Sequence, residues 1–126
     1  ALKVPVVTLD SLLSEDPPSI IKIDVEGFER PVLNGAKRTL NNLKLNSVIM
    51  ELNGSGARYG YDEGEIPKLM YDYGFNTFSY DPFRRELVSL EGKNMHEGNT
   101  IFIRDIDAVK ERLASAPKFK ILGHEI

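Results

Sequence analysis

The sequence contains no cysteine, which excludes a disulfide scaffold, a thiolate metal site and a cysteine nucleophile. No apolar run approaches the roughly 20 residues that a membrane-spanning helix needs, and the chain does not open with a basic-then-apolar signal pattern. We therefore expect a cytoplasmic protein without a membrane segment. The chain also lacks the basic surplus typical of nucleic-acid-binding proteins, because its net charge is −3.

What is present is the composition of an ordinary globular protein. Hydrophobic residues make up 41% of the 126 residues and charged residues 28%. A chain of this length and composition corresponds to one domain. We therefore treat residues 1–126 as a single domain.

In the first half of the chain, short apolar segments alternate with a helical pattern. Residues 19–24 and 47–52 are predicted strands, and the continuous apolar character of the first predicts a parallel strand buried on both faces. The helical pattern between them begins after Gly27 and is interrupted or divided at residues 34–35. Asp10 is predicted to cap a short helical turn before the first strand.

In the second half, a predicted helix over residues 65–73 ends at Gly74, and a strand over 75–80 follows. Two further strands, over 86–90 and 99–104, are predicted to pair as an antiparallel hairpin. This order predicts an open α/β sheet of parallel strands with an antiparallel hairpin at the end. Ligands of such sheets bind beyond the carboxyl ends of the parallel strands.

Two acidic residues, Asp24 and Glu26, stand at the carboxyl end of the first core strand. On an extended backbone, side chains two residues apart point to the same side, and Gly27 permits a sharp turn and the close approach of a ligand. Such a pair can hold an ammonium group, act as a general base or bind a divalent ion. Alternatively, Glu26 caps the next helix and Asp24 accepts hydrogen bonds from loop amides.

Glu51 and Asn53 repeat this arrangement at the end of the second strand. If the two strands are neighbours, four oxygen-bearing side chains meet at one rim of the sheet. The loop over residues 53–56 is then a candidate for a mobile cover over a ligand. The alternative is a plain turn in which Glu51 binds a helix N-terminus.

At these positions the sequence resembles the FkbM family of S-adenosylmethionine-dependent methyltransferases. The most specific stretch, over residues 22–29, is K-I-D-V-E-G-F-E, and residues 8–13, 32–36 and 49–51 add to it. The resemblance implies a Rossmann-like methyltransferase sheet whose last strand is antiparallel and inserted between others. It also implies methyl transfer from S-adenosylmethionine to an oxygen, often a hydroxyl of a sugar-containing or similar small metabolite.

The resemblance also implies roles for individual residues. Asp24 would lie beside the methionine part of the cofactor, Glu26 would lie near the small-molecule acceptor, and Glu51 would stand at the rim of the adjacent strand. Beside these roles, Glu51 is a candidate catalytic residue and Asn53 a candidate contact to the acceptor. Asp24 or Glu26 would remove the proton of the acceptor hydroxyl, and the sequence does not separate the two. No metal is needed in this mechanism, although a divalent-metal variant would use Asp24, Glu51 and Asn53 as ligands.

In this family, the glycine-rich cofactor loop and the ribose-binding acid precede the part that resembles this chain. We therefore expect the chain to correspond to the C-terminal half of the methyltransferase domain and to bind S-adenosylmethionine weakly or not at all by itself. Residues 19–24 would then form an open sheet edge that pairs with a second copy or with an N-terminal half. The remaining hypothesis is a degenerate, non-catalytic binding module.

Overall fold

The computed structural model describes residues 1–13, 15–95 and 97–125. The helices and strands are α1 (Leu9–Leu12), β1 (Ile20–Ile23), α2 (Glu29–Asn34), α3 (Lys37–Asn41), β2 (Ser47–Glu51), α4 (Ile66–Asp72), β3 (Asn76–Asp81), β4 (Glu86–Ser89), β5 (Asn99–Ile103), α5 (Ile106–Ser115), β6 (Lys120–Ile121) and β7 (His124–Glu125). Two short 3₁₀ helices, Ser55–Tyr59 and Glu63–Glu65, lie between β2 and α4. None of the helices in the described residues is long and apolar enough to cross a membrane.

Within the described residues, one mixed sheet contains five strands in the order β1-β2-β5-β3-β4. Strands β1 and β2 are parallel, and every other pair in this sheet is antiparallel. Because β5 is antiparallel to both β2 and β3, strands β1, β2 and β3 all run in the same direction. The carboxyl ends of these three strands therefore share one edge of the sheet.

The predicted hairpin between residues 86–90 and 99–104 is wrong. Strand β4 pairs with β3, with Asp81 opposite Glu86, whereas β5 pairs with β2 and β3. The physical reason is proximity along the chain. Only the four-residue turn 82–85 separates β3 from β4, so they form the hairpin, and the longer connection after β4 carries the chain to a position inside the sheet.

The core lies on the face of the sheet that α2, α3 and α4 cover. Val48, Met50 and Phe102 project from the central strands and are fully buried. The helices bury Leu33, Leu40 and Met70 against them, among others. The predicted break after α2 is confirmed, because Asn34 ends α2 and Lys37 begins α3.

Strand β1 is less buried than its apolar sequence predicts. Ile20 is 54% exposed and Lys22 is exposed, whereas Ile23 is buried. The strand lies at an edge of the sheet and buries only one face well, so the prediction of a strand covered on both faces is wrong.

Asp10 caps a different helix from the one predicted. The hydroxyl of Thr8 caps α1, while the Asp10 carboxylate accepts hydrogen bonds of 2.9 Å from Arg38 N and Thr39 N at the start of α3. Its side chain thereby accepts hydrogen bonds from the otherwise unpaired amides at the start of a helix 28 residues further along the chain. This contact fixes α1 to α3 and completes the layer of helices on the core face.

Candidate active site

A buried carboxylate, that of Glu29, holds the turn that follows β1. Glu29 is 1% exposed, and its Oε1 accepts hydrogen bonds of 3.3 Å from Val25 N and Gly27 N. The backbone of this turn is left-handed, with φ of +51° at Glu26 and +102° at Gly27. The turn therefore lacks the extended backbone from which Asp24 and Glu26 were predicted to share one side, and that argument fails.

Gly27 lies directly against the loop that follows β2. A Cβ atom at Gly27 would lie 2.4 Å from the carbonyl oxygen of Ser55 and 2.8 Å from Gly56 N. Beside this contact, the Phe28 and Tyr59 rings meet edge to face with centroids 5.5 Å apart. The missing side chain was predicted to admit a ligand, but the neighbouring loop of the protein itself occupies the space.

A second buried carboxylate holds the loop after β2. Glu63 is 8% exposed, and its two oxygens accept hydrogen bonds from Gly54 N at 2.7 Å and Gly56 N at 2.5 Å. Asn53 Oδ1 accepts from Ser55 N at 3.0 Å and from Ser55 Oγ at 2.5 Å. The loop predicted as a mobile cover is thus tied to Glu63 by two hydrogen bonds and braced internally by two more. These contacts hold the loop in its position against Gly27.

The predicted acids lie along the rim formed by β1 and β2, and the expectation that these strands are neighbours is confirmed. In their register Ile23 pairs with Met50, so Asp24 and Glu51 are the next two residues along the pair. Asp24 is exposed, and its Oδ2 lies 2.5 Å from Lys22 Nζ, whereas Glu51 is half-buried. Glu26 is exposed on the left-handed turn.

A cavity of about 570 Å³ opens at the same edge of the sheet. Its walls come from residues between Leu52 and Gly64 and from Asn94 and Met95, which precede β5. Asn94 Nδ2 donates to the Glu63 carbonyl at 3.2 Å. Asn94 Oδ1 is buried and has no hydrogen-bond partner in the part of the chain that the structure describes.

None of the four predicted site residues, Asp24, Glu26, Glu51 and Asn53, is among the residues that line this cavity. The carboxylates and the cavity are therefore two separate features of one sheet edge. The loop over residues 53–56 connects them, since Glu51 and Asn53 stand at its start while Leu52 and Gly54 contribute to the cavity wall.

Sequence reasoning missed three residues of this region: Glu29, Glu63 and Asn94. A local signal existed for Glu29, since a carboxylate two residues after a turn glycine and in the first turn of a helix commonly accepts hydrogen bonds from the preceding amides. Glu63 and Asn94 act through contacts 7 to 31 residues distant in the chain, for which no local pattern exists.

The described residues of this region offer few ligands for a divalent metal ion. Within residues 1–13, 15–95 and 97–125, no group of three or more His, Cys, Asp or Glu side chains could hold a metal ion. The alternative that combines Asp24 and Glu51 with Asn53 would use Asn53 Oδ1, which already accepts two hydrogen bonds from Ser55.

A comparison with known families returns one finding for this region. A family model described as the methyltransferase FkbM domain matches residues 1–77, which is more than half of the chain. The match covers α1 through α4 and therefore both loops of the rim. No curated protein and no solved structure matches the chain.

Proposed function

The chain belongs to the FkbM methyltransferase family, and on that premise we propose that it transfers a methyl group from S-adenosylmethionine to a hydroxyl oxygen of a small or sugar-containing metabolite. The observation that carries this proposal is the joined pair of loops at the carboxyl edge of β1 and β2. Glu29 fixes one loop, Glu63 fixes the other, and Gly27 brings them into contact. Exposed carboxylates stand on this rim, where ligands of α/β sheets bind.

The charges of the rim suit the methionine end of the cofactor. S-adenosylmethionine carries a positive ammonium group and a positive sulfonium, and it supplies an electrophilic methyl group when bound. The Asp24 carboxylate already holds an ammonium group, that of Lys22, at 2.5 Å. Because this ion pair is exposed and therefore weak, the cofactor ammonium can replace Lys22 at Asp24.

The two carboxylates that follow β1, those of Asp24 and Glu26, then have different roles. Asp24 binds positive charge, as its contact with Lys22 illustrates, whereas no ion pair in the described part of the chain involves Glu26. Glu26 is thus the better general base for the acceptor hydroxyl, whose proton must leave as the new carbon–oxygen bond forms. A general base of this kind contributes about 10²- to 10⁴-fold to a rate.

The cavity beside the loop after β2 is our candidate for the site of the non-reacting part of the acceptor, since neither Asp24 nor Glu26 lines it. Its volume of about 570 Å³ lies in the range of small-molecule pockets. Leu52, Ala57 and Met95 provide apolar wall, and the Asn94 side chain adds a polar group to the lining. Acidic Asp62 and Glu63 in the wall disfavour an anionic acceptor.

The test is methyl transfer from S-adenosylmethionine labelled at the methyl carbon to a panel of sugars and polyols, with Glu26→Gln, Asp24→Asn and Asp72→Asn compared. Asp72 is an exposed acid paired with Lys68 on α4 and serves as the matched control. We expect Glu26→Gln to lower kcat by about 10²- to 10⁴-fold. Asp24→Asn should instead raise KM for the cofactor by about tenfold or more, because a charge-assisted hydrogen bond is lost. The control should behave as the parent protein.

Two results would count against the proposal. Unchanged kcat in Glu26→Gln and unchanged KM in Asp24→Asn would remove the β1 rim from the reaction. Absence of transfer to every acceptor, by a folded protein that binds S-adenosylmethionine, would favour the non-catalytic binding module.

A further inference from the structure

A basic groove lies far along the chain from the rim, between the β3–β4 turn and the end of α5. Its volume is about 530 Å³. Four cationic side chains line it, together with one carboxylate and a short apolar floor: Arg84, Arg85, Lys110, Lys118, Glu86, Leu87, Leu113 and Ala114. Such a concentration of positive charge is unexpected in a chain whose net charge is −3.

Arg85 adopts an unfavourable backbone conformation at the edge of the groove. Its φ is +56°, at a hairpin position where glycine or asparagine is usual. A guanidinium nitrogen of Arg85 donates to the carbonyl oxygen of Ala116 at 3.1 Å, which fixes the side chain between the turn and the end of α5. Since a guanidinium has five N–H donors, others are left for a ligand.

The positive charges of the groove are poorly neutralised by the protein. In the described residues no ion pair includes Arg85, Lys110 or Lys118. Arg84 has one, but its Nε lies 3.9 Å from Asp81 Oδ2 at an exposed position, where such a pair contributes little. Neighbouring cations repel each other, and a bound anion relieves that repulsion.

We propose that this groove binds a small organic molecule that carries two phosphate groups. Arginine side chains match the geometry of phosphate oxygens, and two lysines supply further charge. The groove is large enough for a sugar-sized body, and Leu87 and Leu113 provide apolar contact for it. This site is separate from the methyl-transfer rim and does not depend on the function proposed for that rim.

The first test is a backbone-amide NMR titration of the chain with fructose 1,6-bisphosphate. We expect saturable shifts confined to residues 84–87 and 110–118, an affinity that falls as salt is added, and no shifts with unphosphorylated fructose. A parallel titration with inorganic pyrophosphate separates an organic ligand from a free phosphate source. Tighter binding of the bisphosphate supports the organic ligand, and equal or tighter binding of pyrophosphate overturns that part of the proposal.

The second test compares matched variants. The double variant Lys110→Gln and Lys118→Gln should weaken bisphosphate binding by about tenfold, because the loss of each exposed charge weakens it by about threefold. Arg85→Gly should also weaken it, while the melting temperature does not fall, because glycine relieves the positive φ at this position. The control, Lys37→Gln with Lys93→Gln, removes the same charge elsewhere and should change the affinity by less than about twofold.

Three results would overturn the site. These are no saturable shifts at millimolar bisphosphate, shifts spread over lysines outside the groove, and an equal loss of affinity in the control pair. The last two would mean non-specific attraction of anions to the whole surface.

Discussion

Replacing Gly27 with alanine tests the contact that joins the two rim loops. The new Cβ would lie 2.4 Å from Ser55 O, 2.5 Å from Ser55 C and 2.8 Å from Gly56 N. All three atoms are backbone, so no side chain can rotate away, and the loop held by Glu63 must shift. Alanine must also adopt a φ of +102°, which strains an L-residue.

The size of the effect follows from these two terms. Backbone strain costs about 1–3 kcal/mol, and forcing an extra carbon into a packed position costs about 1–3 kcal/mol more. We therefore expect Gly27→Ala to lower the free energy of unfolding by about 4 kcal/mol. For a chain of this size the melting temperature should fall by about 15 °C.

Gly92→Ala is the matched control. Gly92 has a φ of +81°, but nothing lies within 4 Å of the position a Cβ would take. This variant therefore bears only the backbone strain, about 1–2 kcal/mol, and should lower the melting temperature by about 5 °C. Thermal and urea unfolding measured by circular dichroism provide both values. Equal losses in the two variants would show that Gly27 does not lie against the Ser55–Gly56 peptide.

Three further predictions follow from individual contacts. Partial burial raises the pKa of Asp10, but hydrogen bonds from Arg38 N and Thr39 N outweigh the burial and hold that pKa below 3.8. The ionised carboxylate therefore stabilises the fold above its unfolded pKa, and this stabilisation is lost as the pH falls through the folded pKa. Asp10→Asn should accordingly cost about 1 kcal/mol in urea unfolding at neutral pH, with a loss that shrinks as the pH falls through the folded pKa, and a pH-independent loss would contradict this. Arg104→Lys should cost about 2 kcal/mol in the same assay, because the Arg104 guanidinium donates to four backbone carbonyls and covers the Phe75 ring at 4.3 Å; a loss under about 0.5 kcal/mol would contradict that role. A chelator such as EDTA should leave methyl transfer unchanged, and activity restored only by added Mg²⁺ would show that the metal-dependent mechanism is correct.

Most helices and strands could be predicted from the sequence, because hydrophobic spacing and turn residues act locally. The break between α2 and α3 at Gly35 and the end of α4 before Gly74 are examples, and Gly74 has the expected φ of +87°. The pairing of β5 could not be predicted in this way. Its partners are chosen by which apolar faces complete the core, and residues 47–51 and 76–78 are distant from it in the chain.

The candidate site, too, could be predicted from the sequence only in part. The adjacency of β1 and β2, and with it the rim positions of Asp24 and Glu51, followed from the order of strands. The buried carboxylate of Glu63 was missed because glutamate is usually exposed, and only the assembled loops show the amides that it accepts from, whereas Glu29 had a local signal in its place two residues after the turn glycine. The left-handed φ of Glu26, which overturns the argument that Asp24 and Glu26 share one side, could not be predicted from its residue type, because it belongs to a turn that Glu29 holds through Val25 N and Gly27 N.

The position of the cofactor is the most direct test of the proposed rim. A backbone-amide NMR titration of the chain with S-adenosylmethionine should produce shifts that begin at residues 24–28 and extend to residues 53–56, and Asp24→Asn should weaken them. Binding is expected to be weak, and its location decides the question. Shifts confined to other parts of the sheet would contradict a methyl-transfer site at the joined loops of β1 and β2.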